Sequence, residues 1–261
     1  MSYSTDQVNR QIVLFSGGFD STLVLARLVK EAEENSTICA ITIDHNLTGV
    51  QKLRREYESQ LLILRELRKQ FPKINIEHEV IKVESNWISG DTYNSKGLAQ
   101  PILWLCNTIP LLKDKDTIYL GYNQNNQAIL HEENINNLLK AACKIQEDKI
   151  IYTHYPLKYF SKTDVLRTLI EEFPYLVDLC TSCEAVIYEG EKVCGECTPC
   201  THLKETLFSI SLNNTETGEK AKQMLKSMFG LTITVEYDNI KNNEIFNEPI
   251  EYTEDTVEES C

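Results

Sequence analysis

The sequence predicts an α/β protein with a doubly wound, mostly parallel five-stranded sheet and a small metal-binding segment toward its C-terminal end. Three observations lead there. Short apolar runs of strand length alternate with amphipathic helical patterns, a Gly- and Ser-rich loop directly follows the first run, and four cysteines cluster between positions 183 and 200. At 261 residues the chain can bury one sizeable core with a small satellite, and its hydrophobic fraction of 42% is ordinary for a globular protein. No apolar run approaches the roughly 18 residues needed to cross a bilayer, and "MSYSTDQVNR" lacks the apolar centre of a signal peptide. The expectation is a cytoplasmic protein with no membrane contact. A net charge of -13 opposes a nucleic-acid backbone, whose binding relies on Lys and Arg, so no direct nucleic-acid partner is expected.

The elements follow in order. Gln11 to Phe15 has the pattern of a short buried strand, and Thr22 to Glu34 follows as a helix with Leu23, Leu25, Ala26, Leu28 and Val29 on its apolar face. Ile38 to Asp44 is a second strand. The long helix from Val50 to Phe71 carries a stripe through Val50, Leu53, Tyr57, Leu61 and Leu64 and is stopped by Pro72. Asn75 to Val83 gives the third strand, Leu98 to Leu112 a mostly apolar helix with Pro101 in its first turn, and Thr117 to Tyr122 the fourth strand. Asn134 to Ile145 is a helix, Lys149 to Leu157 the fifth strand, and Ser161 to Phe173 another helix opened by Ser161 as N-cap, with Asp164 closing a capping box. Strands alternating with helices imply right-handed crossovers and a sheet covered on both faces.

"SGGFDS", Ser16 to Ser21, joins the first strand to the first helix. In an open α/β sheet, ligands sit beyond the carboxyl ends of the strands. A helix N-terminus there offers unpaired N–H groups and about half a positive charge, which suits a phosphate. Gly17 and Gly18 allow close backbone approach, and Ser16 and Ser21 add hydroxyl donors. A carboxylate beside a phosphate repels it unless a cation intervenes, so Asp20 is a candidate ligand toward Mg²⁺. The same residues also suit a tight turn in which Asp20 or Ser21 is merely the N-cap. No Gly-Lys-Ser/Thr follows the glycines, so this is not a Walker loop.

Cys183, Cys194, Cys197 and Cys200 form a C-x10-C-x2-C-x2-C array. Four thiolates can close on one Zn²⁺ and leave no open position for chemistry, so the zinc is expected to be structural. Disulfides suit the array less well, since the chain lacks a secretory signal and has nine cysteines, an odd number. Cys180 could take the place of Cys183 at longer spacing. Cys39, Cys106 and Cys143 lie in apolar patterns and read as small core residues. From Asp238 to Cys261 eight acidic residues meet one lysine, a net charge of -7, the mark of a solvated, disordered tail that could also bind a partner.

"SGGFDS" resembles the SGGxDS signature of the PP-loop ATP pyrophosphatases, which cleave ATP between its α and β phosphates. With the C-terminal cysteine array, the stretch from about Gln11 to about Leu207 resembles the QueC family of 7-cyano-7-deazaguanine synthases. The resemblance implies a PP-loop nucleotide-binding domain over 8–178 and a zinc-binding segment and following helix over 179–212; beyond it lie a short helix/strand extension over 213–237 and the acidic tail over 238–261. It implies that Leu14, Phe15, Ser16, Gly17, Gly18, Phe19, Asp20, Ser21 and Thr22 hold ATP, with Asp44 bordering the adenosine. Asp20, Ser21 and Lys162 would be the catalytic set, Asp20 through Mg²⁺ and Lys162 on the phosphates, although Lys162 also reads as a plain solvent-exposed lysine. It further implies a homodimer, and a 7-carboxy-7-deazaguanine substrate that is adenylated, converted by ammonia to an amide and dehydrated with a second ATP to a nitrile.

The sequence departs from this family where the substrate binds. Gln100 and Pro101 stand where the family has the Arg-Asn of "PGRN", and "NNQAILHEEN" replaces its "YPDCR" stretch. Glutamine cannot make the paired, charge-assisted bonds of an arginine to a carboxylate. His131 falls near the missing arginine, as a weaker cation if protonated or as a structural residue. Three classes therefore stand: a QueC-type synthase, a related ligase passing the acyl group to an amine of a protein or nucleic acid, and a non-catalytic nucleotide-binding scaffold.

Overall fold

The computed structural model describes residues 10–45, 50–83, 100–146, 148–183 and 193–233. The chain divides into two compact units, Met1–Val186 and Ile187–Cys261. In the first, five parallel strands form one sheet: β1 (Gln11–Leu14), β2 (Thr37–His45), β3 (Asn75–Val83), β4 (Thr117–Tyr119) and β5 (Tyr152–His154), in the order β3-β2-β1-β4-β5. The helices between them are α1 (Phe19–Glu31), α2 (Val50–Gln70), α3 (Gln100–Thr108) and α4 (Glu132–Ile145), followed by α5 (Lys162–Glu172) and the short α6 (Pro174–Val177). Because the order reverses between β1 and β4, the crevice at their carboxyl ends is the topological switch point of the sheet.

Alternation along the strands splits the core in two. Ile12, Leu14, Cys39, Ile41 and Ile43 pack with Trp104 and Leu105 of α3 and with Ile135, Leu139 and Cys143 of α4. The intervening Val13, Phe15, Ile38 and Ala40 face the other way, and Phe15 meets the His78 ring edge-on at 6.3 Å. Cys39 and Cys143 are buried as the sequence suggests, but Cys106 is exposed, on the outer side of a short helix that its neighbours Leu103, Trp104 and Leu105 pin to the core.

Three local departures from the sequence pattern bear on the site. The first helix begins at Phe19, three residues early, with Gly18 rather than Asp20 or Ser21 as N-cap, so Asp20 and Ser21 lie inside its first turn. The long helix ends ahead of Pro72 and Leu64 of the expected stripe is buried, but Tyr57 and Leu61 are exposed, and Ser59, Gln60, Ile63 and Leu67 are buried in their place. That rotation turns two polar side chains inward. The fourth strand is three residues long and leaves the sheet at Leu120, although Leu120 still donates its N–H to His154 O at 2.9 Å.

In the second unit, α7 (Thr198–Ser211) and α8 (Glu216–Phe229) pack through Leu203, Leu207 and Ile210 against Ala221, Met224 and Leu225. Thr215 caps α8 by accepting from Gly218 N, and Gly230 ends it in the left-handed region at φ 69°. Leu231 to Ile233 are irregular, and the rest of the strand-like "LTITVEY", with the acidic tail, lies outside the described residues. No described helix is long and apolar enough to cross a membrane.

The start of the sheet depends on one buried carboxylate. Asp116, 1% exposed, accepts from Arg10 Nε at 3.1 Å and Nη2 at 2.6 Å and from Lys113 N at 2.7 Å, and this pairing raises the Arg10 pKa above its usual value. Removing the partner of a part-buried charge costs roughly 3 kcal/mol. Asp116→Ala should lower unfolding stability by about that amount in a urea titration at unchanged m-value.

Candidate functional site

Ser16 to Gly18 turn sharply out of β1. Gly17 sits at φ 80°, and a Cβ there would lie 3.2 Å from both Gln60 Cγ and Ser59 Oγ, so glycine is required by conformation and by space. Its carbonyl accepts from Ser59 Oγ at 3.2 Å and Thr181 N at 3.1 Å, and Ser59 Oγ also contacts Leu179 O. Gln60 Nε2 donates to Ser16 O at 3.1 Å. The inward polar face of α2 thus clamps the loop from behind. On the other side, Ser16 Oγ and Ser21 Oγ are 3.1 Å apart, and Gly18 N donates to Ser16 Oγ at 3.3 Å. Gly121, beyond β4, packs so closely on the first turn of α1 that a Cβ would meet Ser21 N at 3.3 Å.

Asp20 projects from this first turn. Lys162, the first residue of α5, pairs with Asp20 Oδ2, and Asn123 Nδ2 donates to Oδ1 at 2.9 Å. The capping box expected at α5 is present: Asp164 N donates to Ser161 Oγ at 3.1 Å and Ser161 N to Asp164 Oδ2 at 2.9 Å. Those bonds to Ser161, aided by Arg167, hold the Asp164 pKa below its usual value. They fix the α5 N-terminus and with it the backbone origin of Lys162.

Beside the loop lies a cavity of about 240 Å³ at the switch point, lined on one wall by Ser16, Asp20 and Ser21 and on the other by Pro101, Trp104 and Tyr122. Burial, with Tyr155 close by, pushes the Tyr122 hydroxyl well above its ordinary pKa, and Tyr155 is pushed up to about 12. Both stay protonated, and Tyr155 donates to Asn136 Oδ1 at 2.9 Å.

The expected residues are therefore not all in one place. Leu14, Ser16, Asp20 and Ser21 line the cavity, and Lys162 reaches it through Asp20. Gly17, Gly18 and Phe19 shape the loop and open the helix. Phe15 and Thr22 are fully buried. Phe15 donates its N–H to Ile41 O at 2.8 Å and accepts from Thr42 Oγ1 at 2.7 Å, so its backbone polar groups are bonded within the sheet. Asp44 lies beyond the end of β1, in a separate small cleft with Thr42, Glu56, Tyr57 and Gln60. Pro101 lines the cavity, whereas His131 is exposed and neither lines it nor supports the core. Asn123, Ser59 and Gln60 are the residues that sequence reading missed. The run "GYNQNN" after a strand end was a signal for the first, and the polar pair inside a helical stripe for the other two.

The nucleotide and cation can be tested against these groups. The first turn of α1 has N–H groups without intrahelical partners, next to two hydroxyls and a lysine, a donor set that fits phosphate oxygens. Asp20 is the one carboxylate among the described lining residues, and Mg²⁺ needs only one or two protein carboxylates when phosphates supply the rest. Both fit.

Three of the four cysteines come together within the second unit: the sulfurs of Cys194, Cys197 and Cys200 all lie within 4.8 Å of one another. Cys194 Sγ and Cys200 Sγ are 3.9 Å apart, close to the spacing of about 3.8 Å that tetrahedral Zn–S bonds of about 2.3 Å impose. Cys197 N also donates to Cys194 Sγ at 3.3 Å. The set could hold a metal such as zinc. Cys180 does not join it; its thiol donates to Leu176 O at 3.4 Å, and burial pushes it up to about 12.

No protein-family profile matches the chain, and no curated protein matches it either. Among solved structures it is similar to the U34-tRNA thiolase NcsA from Methanococcus maripaludis with its 4Fe-4S cluster, at 15% identity and a TM-score of 0.43 over 91% of this chain and 78% of that one. It is also similar to the NMN synthetase from Francisella tularensis, at 14% identity and a TM-score of 0.37 over 88% and 90% of the two chains. Likeness at this level carries nothing about substrate or activity.

Two outcomes are expected. Gly17→Ala combines a left-handed backbone with a Cβ at 3.2 Å, and should cost about 1–3 kcal/mol in chemical denaturation. Cys197→Ser should lose bound metal, read by elemental analysis, and unfold at a lower temperature than wild type; metal-free protein that melts like wild type would remove the structural role of the site.

Proposed function

We propose that this chain is a QueC-like ATP pyrophosphatase that activates a carboxylate as its adenylate and converts it with ammonia to an amide or nitrile. The observation that carries this reading is that, at the switch point of a parallel sheet, the first turn of α1 lines a cavity with Asp20, with which Lys162 pairs from outside the lining. The proposed substrate is 7-carboxy-7-deazaguanine or a related carboxylate.

A carboxylate oxygen attacks the α-phosphorus of ATP, the bond to the bridging oxygen breaks, and pyrophosphate leaves. Ammonia then attacks the acyl carbon and AMP departs, with one proton lost to solvent. In the nitrile branch the amide oxygen attacks the α-phosphorus of a second ATP, pyrophosphate leaves, and the C–O bond then breaks to release AMP as the nitrogen gives up its two protons to solvent. The protein's share is positional and electrostatic. Ser16, Ser21 and the free N–H groups of α1 hold the pyrophosphate, Lys162 offsets its charge, and Mg²⁺ at Asp20 would neutralise the β- and γ-oxygens. Trp104, Pro101 and Leu120 keep water from the acyl adenylate. The zinc has a structural role in this reading, and the working form is a homodimer.

One observation favours a second reading. The described residues lining the cavity include no arginine, lysine or histidine, so a free carboxylate finds no cationic clamp there. The same adenylate chemistry with a different acceptor, an amine of a protein drawn in by the acidic tail or of a nucleic acid, suits such a cavity.

Purified protein incubated with ATP, Mg²⁺, ammonium and 7-carboxy-7-deazaguanine should yield AMP with an amide or nitrile product by mass spectrometry. Asp20→Asn should lower AMP formation by at least about 100-fold while the protein still folds. Undiminished AMP release by this variant would overturn the role given to Asp20, and AMP with an unchanged base would turn the search to another carboxylate or a macromolecular acceptor.

A further inference from the structure

We infer that Asn123 is a positioning residue that turns the Asp20 carboxylate so that Oδ2 alone is presented to a cation; this rests on the nucleotide reading proposed above. Asn123 is 0% exposed, so no substrate reaches it. A buried amide is tolerated when both its ends are bonded. Here they are. Nδ2 donates to Asp20 Oδ1 at 2.9 Å, and Oδ1 accepts from Asn125 N at 2.9 Å. The assignment of the two ends follows from chemistry: a backbone N–H can only donate, so it meets the amide oxygen and leaves the NH₂ for the carboxylate.

The next residues carry the constraint onward. Gln124 N donates to Phe160 O at 3.0 Å, and Asn125 Oδ1 accepts from Lys162 N at 3.1 Å. The turn after β4 therefore ties the first turn of α1 to the first residue of α5. Asp20 is held at Oδ1 by a neutral donor, which takes up one oxygen without cancelling its charge. Oδ2 faces the ammonium of Lys162. A nucleotide-bound Mg²⁺ would be held at that same oxygen in place of the Lys162 ammonium, which would then offset phosphate charge.

Only an amide meets both demands at this position. Aspartate would set a carboxylate against Asp20, and leucine, of nearly the same shape, would release Oδ1 and let the carboxylate rotate. The consequence concerns the cation rather than the nucleotide. Loss of Asn123 should weaken the help that Mg²⁺ gives to ATP binding and leave metal-free ATP binding as it is, a separation that a general loss of structure does not produce.

The test compares full-length wild-type protein with Asn123→Leu and Asn123→Ala, the smaller variant guarding against a packing failure. ATP affinity is measured by calorimetry with Mg²⁺ and with EDTA, and Mn²⁺ bound with ATP is followed by its electron paramagnetic resonance spectrum. The expected result is that the Mg²⁺/EDTA affinity ratio falls about tenfold in the variants, the scale of one lost hydrogen bond to a charged group, and that the immobilised Mn²⁺ signal weakens in parallel. An unchanged ratio and signal in folded variants overturns the inference alone. Failure of both variants to fold also overturns it, since Asn123 would then be a structural residue. Absence of ATP binding by the wild-type protein in either condition overturns the nucleotide reading, and this inference with it.

Discussion

Much of this molecule hangs on the carbonyl of Gly17. It accepts from a side chain of α2 and from a backbone N–H of the Leu179–Thr181 segment, at 3.2 Å from Ser59 Oγ and 3.1 Å from Thr181 N. A glycine-rich loop left to itself samples many conformations, and ordering it costs backbone entropy at each residue. Two donors on one oxygen, with Gln60 holding the preceding carbonyl, offset that cost by fixing the loop against elements that are themselves buried. On the opposite side the Ser16 and Ser21 hydroxyls bond to each other and to the backbone of Ser16 and Gly18, which fixes the other face of the loop.

This anchoring explains why the buried face of the long helix is not its most apolar one. A helix that buried Tyr57 and Leu61 would hide more hydrocarbon but turn Ser59 and Gln60 to solvent. The observed rotation keeps Ile63, Leu64 and Leu67 in the core and brings the two polar residues under the loop. Apolar burial is the larger driving force per residue, but a buried carbonyl without a donor carries a penalty of comparable size. The helix satisfies both by presenting a mixed face.

Electrostatics sorts the rest of the site. Within an acidic chain of net charge -13, the phosphate site proposed above would need local positive potential. Lys162 supplies it at the start of a helix, where the dipole disfavours a cation, and the capping box of Ser161 and Asp164 keeps that turn in place. Asp20 balances Lys162 in this state. Such a pair is half-exposed and contributes little to stability, so its arrangement is better explained by what it presents to the cavity than by what it adds to folding.

A reader of the residues alone could reach the strand–loop–helix order, the parallel sheet, the loop "SGGFDS" with Asp20, the capping box and the four-cysteine set, because each is written in local chemistry: periodicity, glycine, caps and ligand spacing. Phe15 and Thr22 are fully buried, a feature the loop motif does not disclose because it does not say which of its side chains point back into the core. Asp44 is set apart from the cavity by strand register, lying three residues past Ile41, the β2 partner of Leu14. Asn123, Ser59 and Gln60 join the site from 103, 42 and 44 residues away from the groups they bond. Residue chemistry read along the chain sets the kinds of groups available and the order of elements. Which of those groups meet is settled by the folded chain alone, because hydrogen bonds between distant segments depend on helix rotation and strand register, and neither leaves a periodic trace in the residues.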